Sequence, residues 1–155
     1  MSAVALVSPV RILGASGTAA SNAADTAKLT LGTFTIPAGL MGTRGIVRIF
    51  TQWSYTSSVN NKVLTVEFGG TAFMNATAAA QTGGFAITTI QNRDSASSQV
   101  GSSELWTNNS GQIATAVATA SVATTSAVTV NITGQKTLAG ETLTLESWYA
   151  ELITP

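Results

Sequence analysis

Neither cysteine nor histidine occurs among the 155 residues. Without cysteine the chain can form no disulfide and no thiolate metal site, so its stability rests on packing alone. Without histidine it lacks Ser-His-Asp and Cys-His nucleophile systems, histidine zinc sites and the commonest general base. Charge is scarce as well: 9% of residues are charged, seven basic against seven acidic, where ~25% is usual. Lys28, Arg44, Arg48 and Lys62 are spread too thinly to make the basic patch of a nucleic-acid binder, so no nucleic-acid partner is expected. Aromatics make up only 6%, fewer than the girdles of an outer-membrane barrel need. No uninterrupted apolar stretch reaches the ~20 residues of a membrane-spanning helix. Met1 to Leu13 has no basic n-region, and Ser8, Pro9 and Arg11 break its apolar run, so neither a secretion signal nor a membrane partner is expected.

What remains is 45% hydrophobic residues set among uncharged Thr, Ser, Asn, Gly and Gln. A polar surface with so little charge is poorly protected from self-association, which favours life inside an assembly. The length fits one domain with a sizeable core.

Along the chain, Val4 to Leu13 reads as a short apolar strand and Gly14 to Asp25 as a stretch of small residues with nothing large to bury. Residues 1–26 are therefore expected to form an N-terminal arm, either a flexible terminus or a segment that orders against a partner. Its apolar residues Val4, Leu6, Val7, Val10, Ile12 and Leu13 are the candidates for docking on a foreign sheet edge or a neighbouring subunit.

From Ala27 the period becomes two, and residues 27–155 are expected to form a β-sandwich. Leu29 and Leu31 share a face, and Phe34 and Ile36 resume after a one-residue shift at Gly32 and Thr33, the sequence mark of a β-bulge. Leu64, Val66 and Phe68 alternate with Val63, Thr65 and Glu67 and run into Gly69-Gly70, a two-residue hairpin turn. Residues 92–111 read as a long polar loop with a short strand, which leaves Trp106 as the one large aromatic in a loop and a candidate surface contact. Trp53 reads as core. About eight or nine short strands with no 3.6-residue period predict an all-β antiparallel sandwich; a jelly roll is the expected form and an immunoglobulin-like sandwich its rival.

In the last strand, Leu143 and Leu145 face one way and Trp148, Ala150 and Leu152 the other, with Tyr149 and Ile153 on the first side. A strand apolar on both faces must be covered on both. The second cover is either another subunit, which makes Trp148, Tyr149 and Leu152 candidate interface residues, or an ordinary bulge near Ser147.

Chemistry-bearing patterns are few. Glu146 and Glu151 are an odd number of residues apart, so a regular strand points them to opposite faces and away from a shared glycosidic bond. No calcium-loop or phosphate-loop pattern occurs, and no catalytic residue, metal or cofactor is expected.

The segment Asn61-Lys62-Val63-Leu64-Thr65-Val66-Glu67-Phe68-Gly69-Gly70-Thr71, followed by Val128 to Gly134 and by Glu141 to Leu152, resembles the jelly-roll domains of tailed-bacteriophage virion proteins, both head-decoration proteins and tail-fibre knobs. The resemblance covers residues 27–153 and lies in the pattern and order of segments. It implies a non-enzymatic homotrimer on a virus particle, assembled in the host cytoplasm, with the major capsid protein or another virion protein as its partner. A knob normally follows a long shaft, for which 26 residues at ~3.4 Å each are too few; capsid decoration is therefore the expected role. A receptor- or glycan-binding knob and a non-viral surface or spore-coat trimer module are the alternatives.

Overall fold

The computed structural model describes residues 9–108 and 111–155. Among them the chain is all-β, with twelve strands and no helix: β1 (Val10–Ser16), β2 (Ala20–Asn22), β3 (Leu29–Ile36), β4 (Ile46–Tyr55), β5 (Lys62–Phe68), β6 (Thr71–Ala78), β7 (Gly83–Asn92), β8 (Gln99–Thr107), β9 (Gly111–Ala114), β10 (Ala118–Ala120), β11 (Val128–Lys136) and β12 (Leu143–Ile153). They form an antiparallel sandwich of an eight-stranded sheet, ordered β1-β12-β4-β7-β8-β10 with β2 beside β12 and β9 beside β8, and a four-stranded sheet, β3-β11-β5-β6. The two sheets are unequal, where a jelly roll of two four-stranded sheets was expected.

Alternation sets the packing. Val47, Ile49, Trp53 and Tyr55 of β4 point inward, as do Ala86 and Ile90 of β7, and they meet Leu64, Val66, Phe68, Val130 and Ile132 of the smaller sheet. Each inward residue alternates with an outward one, as a sheet covered on one face requires. Trp53 is core, as expected, its Nε1 donating to Thr51 Oγ1 at 2.8 Å. The Gly69-Gly70 hairpin is also as read: both residues have positive φ, 54° and 85°, the requirement of a type I′ turn. The β3 bulge falls one residue before the expected place, because Ile132 pairs with Gly32 and Thr133 with Thr30, leaving Leu31 as the extra residue.

Three expectations need correcting. Residues 10–26 do not stand apart as an arm: β1 pairs with β12 from Val10↔Ile153 to Ser16↔Trp148, and β2 pairs with the same strand through Leu143↔Asn22. The small residues are what allow this. A Cβ at Gly14 would come within 3.1 Å of the Trp148 ring, and the buried Asn22 amide donates to the carbonyls of Ala27 and Gly134. Val4, Leu6 and Val7 lie outside the described residues. Second, the polar stretch 92–111 is no long loop; β8 pairs with β7 from Asn92↔Gln99 to Gly84↔Thr107. Apart from Leu105, its buried side chains are polar but bonded, as in Ser103 Oγ to Thr88 Oγ1 at 2.7 Å. Third, the bulge weighed near Ser147 is present, between Leu145 and Ser147, so the opposite faces expected of Leu143 and Trp148 do not hold. The extra residue returns Trp148, Ala150 and Leu152 to the same inner side as Leu143 and Leu145.

Candidate functional site

That bulge decides which residues of β12 can meet a partner. Leu152, 1% exposed, belongs to the core. Trp148 turns inward and stacks on Phe34, ring centroids 5.4 Å apart. Neither can cover a second subunit, so two of the three expected interface residues are packing residues. Tyr149 is different. It points outward, 40% exposed, stacked on Phe50 of β4 with centroids 4.4 Å apart and planes 13° from parallel.

Tyr149 is one member of a larger surface. Nine large hydrophobic side chains are exposed among the described residues, and five of them, Val10, Ile12, Phe85, Trp106 and Tyr149, share the outer face of the eight-stranded sheet. Register builds the surface in rows. One row runs Ile12, Glu151, Arg48, Thr89; the next runs Ala15, Tyr149, Phe50, Ile87, Glu104; the third runs Ser147, Gln52, Phe85, Trp106, Gln112. Trp106, read from sequence as a loop residue, is thus held on a strand.

Two clusters emerge. At the β1–β12 edge, Val10 and Ile12, the latter 59% exposed, stand beside Ile153 and the Arg48–Glu151 ion pair at 2.5 Å. Among the described residues β1 has one sheet neighbour, β12, and so ends the sheet. Of the docking residues expected in the arm, Val10 and Ile12 therefore lie on an edge strand of the sandwich, and Leu13 packs partly against the core. Across β7 and β8, Phe85 and Trp106 are cross-strand partners with ring planes 10° apart and centroids 6.4 Å apart. A recess of about 400 Å³ is lined by Thr82, Gly83, Gly84, Trp106 and Asn108, and one of about 250 Å³ lies on the other side of Phe85 against Phe50, Gln52, Ser147 and Tyr149.

The ionisable groups do not converge on either recess. Among the described residues no group of three or more acids forms a metal-ligating cluster, and no helix is long and apolar enough to cross a membrane. The bulge places Glu146 on the outer face with Glu151, contrary to the opposite faces expected of a regular strand. Glu146 accepts from Ser54 and Glu151 pairs with Arg48. Ser54 and Arg48 are six residues apart on one strand, roughly 20 Å at ~3.4 Å per residue, well beyond the ~5–9.5 Å of a glycosidase carboxylate pair. The most perturbed acid, Glu141, sits at one end of the sandwich. Hydrogen bonds from Ser58 and Asn60, with the Lys62 charge, bring its pKa down to about 2.

No family model matches the chain, and no curated protein matches it. Solved structures of similar fold include the CBM2 module of the evolved Dit of Lactobacillus casei BL23 phage J-1, at 12% identity, TM-score 0.38, 79% of this chain and 69% of that one. Lectin II from Ulex europaeus is 12% identical over 97% and 95% of the two chains, TM-score 0.40. The VP2 subviral particle of infectious bursal disease virus is 12% identical over 99% of this chain and 37% of its own, TM-score 0.44. With every TM-score below 0.5 these likenesses carry no further assignment, and the antiparallel β-sandwich stands on the strand pairing itself.

Proposed function

We propose that the chain is a non-enzymatic structural protein of a tailed-bacteriophage virion, a capsid-decoration protein that assembles as a trimer. The observation that carries this reading is the concentration of exposed apolar side chains on one sheet face, ending at the β1–β12 edge in Val10, Ile12 and Ile153. An edge strand with apolar outward residues is a template for pairing or packing with another chain. A surface with few charges suits a protein that spends its life in contact with others. The absence of histidine and the scatter of the carboxylates support a role without bond-making chemistry.

In this reading the β1 edge meets the major capsid protein or a neighbouring subunit. It replaces the free arm expected from sequence. The test is co-sedimentation of the purified chain with undecorated capsids of the encoding phage, alongside sedimentation equilibrium of the chain alone. Wild type should sediment as a trimer and pellet with capsids. Ile12→Glu, a change at an exposed position, should fold normally yet lose the capsid contact, whereas Val59→Glu, exposed in the connection between β4 and β5, should keep it. Equal pelleting by Ile12→Glu would move the capsid contact off the β1 edge; indifference to capsids together with binding to host cells would replace decoration with the receptor-binding reading.

A further inference from the structure

Packing of the sandwich leaves the Phe85–Trp106 pair unexplained. Both rings are wet, 46% and 41% exposed, although their strand neighbours Ala86, Leu105 and Thr107 are buried. Their outward aim is fixed by register, because Phe85 and Trp106 occupy outer positions of two central hydrogen-bonded strands. The pair is thus a preset surface, which keeps the entropy lost on binding small.

The ground beside it is bare. Gly83 holds the next outward position on β7, paired with Ser54, and a Cβ there would lie 2.6 Å from the Trp53 carbonyl oxygen. A side chain at that point is excluded by the close backbone approach. The recess of about 400 Å³ opens over this glycine, walled by the Trp106 and Phe85 rings.

Its rim is polar and neutral. Asn108 and Thr82 are locked together, Asn108 Nδ2 donating to Thr82 Oγ1 at 2.6 Å and the Thr82 amide donating to Asn108 Oδ1 at 3.2 Å. Gln112 pairs across from Trp106. In the adjoining recess Gln52 Oε1 accepts from Ser147 Oγ at 3.0 Å. The outward residues of β7 and β8 include no Lys or Arg, so nothing there recruits a phosphate or carboxylate.

Parallel rings with an uncharged amide and hydroxyl rim match a ligand that has an apolar face and a hydroxylated edge, without net charge. A sugar ring in its chair form has that shape, its axial C–H bonds forming the face and its equatorial hydroxyls the edge. We propose that the recess flanked by Phe85 and Trp106 is a carbohydrate-binding site for neutral pyranose units, with the rings as the stacking platform and Asn108, Thr82 and Gln52 as hydroxyl partners. The two recesses on either side of Phe85 extend it across four strands, β12 to β8, roughly 14 Å at ~4.8 Å per strand. The site therefore takes an oligosaccharide rather than a monosaccharide. It is separate from the β1 edge that the virion reading uses.

The experiment is an NMR titration of the isotope-labelled full chain with chitohexaose, cellohexaose and maltohexaose, following the Trp106 indole N–H and the Phe85 amide. A saturable shift of both signals by at least one of these sugars is the expected result. Affinity should fall about tenfold or more in Trp106→Ala and in Phe85→Ala at unchanged melting temperature, with partial recovery in Trp106→Phe. The recovery guards against a folding artefact. Silence with all three sugars, or binding that survives both alanine variants, overturns the proposal. Loss of capsid pelleting in Trp106→Ala overturns it too, because the recess then belongs to a protein contact; unchanged pelleting beside lost sugar binding leaves the two readings independent, as expected.

Discussion

The indole of Trp148 occupies the space that a side chain at Gly32 would need: a Cβ there would lie 2.8 Å from the indole Nε1 and 3.1 Å from Leu145 Cδ2. The contact joins β12 of the larger sheet to β3 of the smaller one, and Gly14 of β1 closes the same ring from another side. Trp148 is thus a clasp between the sheets and the first strand.

Gly32→Ala should therefore destabilise the protein by about 1–3 kcal/mol, the usual penalty of overpacking. Trp148→Ala should cost about 3–5 kcal/mol. Chemical denaturation checks both. The more telling readout is sedimentation, since the Trp148 variant, if folded, should keep the wild-type assembly state; a shift to monomers would restore Trp148 to a subunit interface.

Acid sensitivity should trace to Glu141. Lys62 Nζ lies 3.0 Å from Glu141 Oε2, Asn60 Nδ2 donates to Oε1, and Lys136 Nζ donates to the Glu141 backbone carbonyl. The carboxyl pKa is lowered from 4.5 to about 2. A depressed carboxylate contributes stability that is fully present above the unfolded pKa and is lost as pH falls through the folded one. Wild type should accordingly lose stability between about pH 4.5 and pH 2. In Glu141→Gln the melting temperature should be lower at neutral pH, because the buried Lys62 loses its counter-charge, and flatter across that acid window. Parallel pH curves for the two proteins would remove Glu141 from this role.

The strands that alternate plainly, such as β5 with Leu64, Val66 and Phe68, were legible because one face is apolar and the other is not. β8 was hidden. Of its buried residues only Leu105 is apolar, while Gln99, Ser103 and Thr107 are polar and hydrogen-bonded, so no period-two hydrophobic signal builds up. The outer face was half legible. Phe85, Trp106 and Tyr149 are visible as aromatics, but whether they face the same way depends on the bulge after Leu145 and on the pairing Phe85↔Trp106, and pairing between distant strands leaves no local mark. The first strand was misassigned for a related reason: Gly14 and Ala15 look like linker, yet their smallness is what admits Trp148 and the neighbouring backbone.

Tyr55 carries a hydroxyl that is buried without a hydrogen-bond partner, and burial pushes its pKa up to about 12. The neutral form is favoured in the folded state, so this contribution is fully present below the unfolded pKa of about 10 and is lost as pH rises toward 12. Tyr55→Phe removes an unsatisfied polar atom while keeping the ring. It should be neutral or stabilising by up to about 1 kcal/mol, and it should extend stability at alkaline pH. A clear loss of stability at pH 7 would mean that the hydroxyl has a partner.

Gln99 offers the opposite case, a buried amide with its polar atoms engaged. Nε2 donates to Asn92 Oδ1 at 2.8 Å and to the Val122 carbonyl at 3.0 Å, while Oε1 accepts from the Val122 amide at 2.9 Å. Asn92 in turn donates to the Gly42 carbonyl and to Thr124 Oγ1, and Thr124 donates to the Ala96 carbonyl. One side chain therefore ties the end of β7, the start of β8 and the segment after β10 into a single network. Gln99→Leu has nearly the same volume, so packing is conserved while the Val122 amide and Asn92 Oδ1 lose their partner. Each buried group left unsatisfied costs about 1–3 kcal/mol, and the destabilisation should fall at the upper end of that range or beyond. Hydrogen exchange supplies the local readout: the Val122 amide should lose protection in Gln99→Leu, with Val66 in the core protected as in wild type once global stability is accounted for. If Gln99→Glu were as stable as wild type at neutral pH, the Nε2 donors would not be contributing, because a carboxylate can still accept from Val122 but cannot donate to Asn92.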